Sequence, residues 1–231
     1  MKHSQLLRAI CSISLFVGAA TAGIFTPHLE ISLDGGAIRS FLETSDQMTY
    51  LMEPTSTVER PIRPAFSMSC NLYLGNYFGI TSGMGYRHFG QSTAPTTVFL
   101  KDDLFEHDFE SNVSLDYLTV PVTVKAGIRR NRFSVFLFGG VEPSLLINNE
   151  VAWFIDDKKV STGSSRMPEI DLKYWDIPLV FGGEAGMYFG KNGIFLCGEY
   201  TYGVHSIATG IPGAVFLRGY GATLQYRRVI F

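Results

Sequence analysis

Apolar and polar residues alternate one by one along eight stretches of this chain, with the same contrast between the two faces each time. A period of two belongs to β-strands, because successive side chains leave a strand on opposite sides. From Leu29 to Arg39 one face carries Leu29, Ile31, Leu33 and Ala37, and the other carries Glu30, Ser32, Asp34 and Gly36. Residues 65–74 set Phe66, Met68, Cys70, Leu72 and Leu74 against Ser67, Ser69, Asn71 and Tyr73. Residues 77–89 set Phe78, Ile80, Met84 and Tyr86 against Gly79, Thr81, Gly83, Gly85 and Arg87, and residues 116–128 set Leu118, Val120, Val122, Val124 and Ala126 against Tyr117, Thr119, Pro121, Thr123, Lys125 and Gly127. The stretch 133–146 is nearly continuous in apolar residues, with Glu142 and Ser144 marking its polar side. Residues 175–189 divide Trp175, Ile177, Leu179 and Phe181 from Asp176, Pro178, Gly182 and Glu184; residues 194–205 divide Ile194, Leu196, Tyr200 and Tyr202 from Cys197, Glu199 and His205. The last stretch, 214–231, divides Phe216, Tyr220, Ala222, Leu224 and Tyr226 from Gly219, Gly221, Thr223, Gln225 and Arg227.

One face of every stretch is greasy and the other is polar or bare. In a soluble up-and-down barrel the face turned to water would be rich in Lys and Glu. Here the non-greasy face holds several glycines and isolated charges, so the large apolar side chains are expected to meet lipid. Past the amino terminus, no charge-free apolar run approaches the roughly 20 residues that a membrane-crossing helix needs. Any crossing must therefore use strands, which have to close into a barrel because hydrocarbon leaves no partner for an open edge. Eight segments of about ten residues predict an all-β, 8-stranded antiparallel up-and-down transmembrane barrel. Short links near Gly75-Asn76, Arg129-Asn131 and Gly190-Gly193 alternate with long ones at 41–63, 90–115, 147–174 and 206–213. The short ones read as periplasmic turns and the four long ones as external loops.

The amino terminus carries Lys2, His3 and Arg8, an apolar run from Ala9 to Ala20, and Ala20-Thr21-Ala22 before Gly23. This is the pattern of a cleaved export signal over residues 1–22, leaving 23–231 as the barrel. A formal net charge of -2 leaves no basic footprint for nucleic acid. Of the cysteines beyond the signal, Cys70 falls on the greasy face and Cys197 on the polar face, which argues against a disulfide.

Three stretches carry a family likeness: Tyr-Leu-x-Val-Pro-Val at 117–122, Phe-x-Phe-Gly-Gly-Val-Glu-Pro-Ser at 136–144, and Gly-Glu-Tyr-x-Tyr-Gly at 198–203. With them the chain resembles the outer-membrane β-barrel domain proteins of Bacteroidetes, the porin-family or PorT-like proteins, over nearly all of its length beyond residue 22. The resemblance implies an architecture and a Gram-negative outer-membrane location, with envelope biogenesis or protein secretion as one process. It implies no shared catalytic residues and no cofactor. Phe231 looks like the terminal aromatic by which the barrel-assembly machinery recognises its clients. Its odd number breaks the parity of Leu224 and Tyr226, so either a bulge near Arg227 restores the phase or Arg228 joins the outer face.

The lipid-facing set is expected to include Phe66, Phe78, Ile80, Val120, Val122, Leu179, Phe181, Tyr200 and Tyr202. Glu30, Asp34, Arg87, Lys125, Glu142, Glu184, Glu199 and Arg227 point into a lumen that in an 8-stranded barrel is only wide enough for side chains. They are expected to form an interior polar network by pairing with each other or with water. Lys101, Asp102, Asp103, Glu106, His107, Asp108 and Glu110 make a charged loop without the Gly-centred spacing of a calcium site, so no metal is expected. Trp153, Phe154 and Ile155 lie in the third long segment, where they extend a strand or form a contact surface. His205 and Ser206, with Glu199, are the residues to weigh for a lipid A-modifying enzyme; neighbours on a strand point to opposite faces, so no catalytic residue is assigned. The expected role is a scaffold that presents external loops, touching membrane lipid, lipopolysaccharide and other envelope proteins. The alternatives are the lipid A enzyme and a narrow solute pore.

Overall fold

A computed structural model describes residues 27–44, 58–93, 96–99, 106–156, 158–163, 171–209 and 214–231. The export signal expected at 1–22 lies outside the described residues. Eight antiparallel strands form a closed barrel. They are β1 (Pro27–Thr44), β2 (Ile62–Leu74), β3 (Phe78–Thr93), β4 (Glu106–Thr119, resuming as Val122–Arg130), β5 (Phe133–Val141, resuming as Ser144–Ile155), β6 (Trp175–Asp176, resuming as Leu179–Phe189), β7 (Asn192–Tyr202) and β8 (Val215–Val229). Each pairs with the next in sequence. β8 closes on β1 in an unbroken register from Glu30 opposite Val229 to Thr44 opposite Val215. No backbone edge of the wall is left to lipid.

One end of the barrel carries the tight turns. Arg130 pairs with Phe133 across Asn131-Arg132, and Phe189 with Asn192 across Gly190-Lys191. Such two-residue links need a left-handed backbone, and Asn131 at φ 55° and Gly190 at φ 67° supply it. The chain terminus lies at this same end, where the Leu29 N–H donates to the Phe231 carbonyl at 3.1 Å. The absence of a bulge in the β1–β8 register decides the parity question: Arg227 is fully buried in the lumen, Arg228 is exposed on the outer surface beside the turns, and Phe231 lies exposed past the end of β8.

At the other end the strands run further than the alternation indicated. β3 continues to Thr93, β4 begins at Glu106, and β5 continues to Ile155 before folding back as Lys158–Gly163. The long links expected at 90–115 and 147–174 are therefore partly wall, and 41–63 is shortened because β1 reaches Thr44. Beyond the hydrocarbon a ladder needs only backbone partners, so Ser111, Asn112, Val113 and Ser114 continue β4 without the apolar face that marks a strand in lipid. Within the expected 206–213 loop, Ala208 and Thr209 pair with Leu172 and Asp171.

Three neighbouring strands break at one level, at Val120-Pro121, Glu142-Pro143 and Ile177-Pro178. A proline donates no N–H and interrupts a ladder. Its carbonyl still accepts: the Val120 N–H donates to Pro143 O at 2.8 Å and the Glu142 N–H to Pro178 O at 2.9 Å. The wall therefore stays joined through the break.

The outer surface is the greasy face. Phe66, Phe78, Ile80, Val120, Val122, Leu179, Phe181 and Tyr202 are exposed on it, and Tyr200 is half-buried beside the Phe181 ring at 5.4 Å. Val124 stands midway along this band at 64 % exposure. Replacing it with arginine is expected to destabilise the folded barrel by about 2–4 kcal/mol in lipid. Denaturant titration of the variant folded into vesicles measures this, and a loss below about 0.5 kcal/mol would place Val124 away from hydrocarbon.

Candidate functional site

Inside the wall, the polar parity of the strands stacks its charges in tiers. Nearest the turns, Glu30 Oε1 accepts from Tyr188 Oη at 2.6 Å and Arg129 Nη1 at 3.1 Å, and lies 2.9 Å from His28 Nε2. Above it, Glu184 is held by Lys125 at 2.7 Å and Arg227 at 2.5 Å, while Lys125 also donates to Asn71 Oδ1 at 2.9 Å. The Tyr73 hydroxyl receives from Arg227 at 2.7 Å and donates to Glu184 at 3.3 Å. In the next tier Arg87 bridges two acids, reaching Glu142 through Nε and Glu199 through both terminal nitrogens. Asp34 stands apart from these pairs, with Ser67 Oγ donating to it at 2.8 Å.

All eight acids and bases expected inside therefore line the lumen. Tyr73 and Tyr188, on the face that alternation marks as polar, join them, as do His28 and Arg129; Arg129 shares the parity of Lys125 and Gly127 but lies beside the tight turn, where the alternation ends. Between Asp34, Arg87, Lys125, Glu142, Glu184 and Glu199 a cavity of about 60 Å3 remains. That is room for a few waters.

Towards the loop end the lumen changes character. Ile38, Ala65, Phe89, Leu115, Tyr117, Leu146 and Leu217 pack together with Ile207, Ala208 and Val215 into a buried apolar cluster. Ile38, Phe89, Leu115 and Leu217 share the inward parity of the charges below them, so the inner face is polar in its lower half and largely apolar above, with Ser40 buried there and Arg63 opposite Ile38. This plug was hidden in the sequence, because an inward Leu or Phe looks like a break in alternation until its neighbours are known.

The residues singled out at the loop end are scattered. His205 is exposed, and Ser206 Oγ serves a local turn, accepting from the Val215 N–H at 3.1 Å and donating to Ala208 O at 2.9 Å. The two form no pair. Glu106, His107, Asp108 and Glu110 sit on the extension of β4, whereas Lys101, Asp102 and Asp103 lie outside the described residues. Trp153, Phe154 and Ile155 end β5. Cys70 is exposed, Cys197 is buried, and both are free.

A second polar cluster lies on the outer surface. His88 on β3 and Asp116 on β4 are directly opposed, with the His88 ring Nδ1 2.6 Å from Asp116 Oδ1. The ring's other nitrogen, Nε2, is 3.2 Å from Ser114 Oγ. The Tyr86 hydroxyl donates to Asp116 Oδ1 at 2.6 Å and the Asn148 amide to Asp116 Oδ2 at 2.9 Å. Along β3 and β4 these residues continue the outer parity of Met84 and of Val120 and Leu118, and form the first polar row above the apolar band. Asn112, Ser114 and Asp116, three polar residues in succession on the greasy parity of β4, are the signal in the sequence. They lie at and just before the start of the 116–128 stretch, where the apolar alternation ends.

The family model for the outer membrane protein beta-barrel domain matches residues 27–209. No curated protein matches the chain. Among solved structures, the chain is similar to the attachment invasion locus protein Ail of Yersinia pestis, with 11% identity, 86% of this chain and 98% of that chain covered, and a TM-score of 0.36. It is also similar to the outer membrane protein OprG from Pseudomonas aeruginosa, with 11% identity, 87% and 95% covered, and a TM-score of 0.43. The outer membrane protease OmpT from Escherichia coli matches with 10% identity, 89% and 98% covered, and a TM-score of 0.41. With four fifths of its length under the family model and a closed barrel greasy on the outside, this chain belongs to the outer membrane protein beta-barrel domain family.

Proposed function

We propose that this protein is a non-conducting anchor of the outer membrane that acts through its external end and its lipid-facing surface rather than through its lumen. The observation that carries this is the filled interior: three tiers of paired charges below, and the apolar cluster around Leu115, Tyr117 and Leu217 above. An ion crossing from one side to the other would have to part Arg87 from two carboxylates and then cross the apolar cluster. Breaking a buried pair costs several kcal/mol. The extended ends of β3, β4 and β5 and the hairpin at Lys158–Gly163 raise a sheet surface above the membrane. That surface is where lipopolysaccharide and other envelope proteins would be met. The PorT-like motifs favour envelope biogenesis or secretion as the process served.

Planar-bilayer recording from the full chain, folded and purified in detergent, tests the closed lumen. The expected record shows no unitary steps above the bare membrane. Sustained openings that scale with protein concentration would return the narrow pore to first place.

A further inference from the structure

The geometry points to an esterase centre on the lipid-facing surface, in which Ser114 is the nucleophile, His88 the general base and Asp116 the residue that orients the imidazole, with the fatty acyl ester of an outer-leaflet lipid as substrate. Three observations converge on it. The order of contacts is that of a nucleophile, base and orienter: Ser114 Oγ to His88 Nε2 at 3.2 Å, and His88 Nδ1 to Asp116 Oδ1 at 2.6 Å. The carboxylate is itself fixed, because Tyr86 and Asn148 donate to its two oxygens at 2.6 and 2.9 Å. That leaves the imidazole one orientation, with Nδ1–H towards Asp116 and the Nε2 lone pair towards the serine. A set of polar residues that merely tolerated the interface would not need this sequence of contacts.

The place identifies the substrate. Ser114, His88 and Asp116 all lie on the outer parity, outside the lumen. They stand immediately above Leu118, Val120 and Met84, which are exposed to hydrocarbon. The height at which side chains change from apolar to polar is the height at which a lipid changes from acyl chain to headgroup, and there the ester carbonyl sits. An acyl chain lying along Leu118, Val120 and Met84 brings its ester to Ser114 without leaving the leaflet.

The chemistry closes with water as the only co-reactant. Ser114 Oγ bonds to the ester carbonyl carbon as its proton passes to His88 Nε2. The bond from that carbon to the alkoxyl oxygen breaks, and the departing oxygen takes the proton from His88. Water then attacks the acyl-serine, gives a proton to His88, and the serine leaves with it, releasing a fatty acid. The shared recognition element is an acyl ester, carried both by glycerophospholipids and by acylated glycolipids.

The test uses the full chain folded in detergent, with heat-dependent gel mobility showing that each variant is folded. Fatty-acid release is measured from phosphatidylethanolamine vesicles in one arm and from lipid A micelles in the other. Release in either arm, lost by about a thousandfold or more in Ser114→Ala, is expected, and the arm that responds names the lipid class. A long-chain alkyl fluorophosphonate is expected to label the wild type at Ser114 and to leave folded Ser114→Ala unlabelled. Folded wild type that releases no fatty acid in either arm and takes no label overturns the proposal, as does undiminished release by Ser114→Ala. Channel conductance bears only on the closed lumen, so the two readings fail separately.

Discussion

Arg87→Met is expected to cost the folded barrel about 3–5 kcal/mol, the largest loss among single replacements in the lumen. Among the described residues, Arg87 is the one cation placed against both Glu142 and Glu199, and the side chains of those acids are 1% and 9% exposed. Removing it leaves two like charges facing each other in a medium that solvates neither. Lys125 and Arg227, by contrast, share Glu184, so losing either leaves the acid one partner. Midpoints of denaturant unfolding from lipid vesicles give the value. The triple variant Arg87→Met/Glu142→Gln/Glu199→Gln is expected to recover most of it, because it removes the stranded charges. A loss below 1 kcal/mol in Arg87→Met, or no recovery in the triple variant, would mean that the Arg87 cluster is not held together by charge pairing.

The second large effect comes from the wall. Gly140 and Gly139 are neighbours on β5 that point to opposite faces. A Cβ on Gly140 would fall inside contact distance of the Val122 carbonyl oxygen and 2.7 Å from the Thr123 Cα, both backbone atoms of β4. A Cβ on Gly139 would meet nothing closer than the Val180 carbonyl oxygen at 3.9 Å. Gly140→Ala is therefore expected to push β4 and β5 apart, next to the proline break, and to cost about 3 kcal/mol or more. Gly139→Ala is expected to be nearly neutral. Yield of heat-modifiable barrel and the unfolding midpoint distinguish the two; equal behaviour would show that the strands do not approach this closely.

Much of the barrel can be read from the residues themselves. Ile31, Leu33, Phe78, Ile80, Val122 and Val124 declare the outer face because alternation is a local property, set by the geometry of one strand. The same parity sends Glu30, Arg87, Lys125 and Glu184 inside. What parity cannot say is which strands are neighbours across the lumen. Tyr188 reaches Glu30 over 158 residues of chain and Tyr73 reaches Glu184 over 111, contacts that exist only because β8 closes on β1. The ends of the strands are hidden in the sequence for a related reason. Beyond the hydrocarbon a strand is held by its neighbour's backbone and no longer by a greasy face, so the paired stretches at Ser111 to Ser114 and Glu150 to Ile155 carry the sequence pattern of a loop.

The alternation by itself determined that this chain crosses a bilayer as strands and which side of each strand meets lipid, since hydrocarbon selects every second residue directly. Tertiary structure alone decided that the lumen is plugged, which charges hold one another, and that Ser114, His88 and Asp116 meet on the outer rim. Those outcomes depend on the register between strands. Register is fixed by closure of the whole wall and is carried by no single segment.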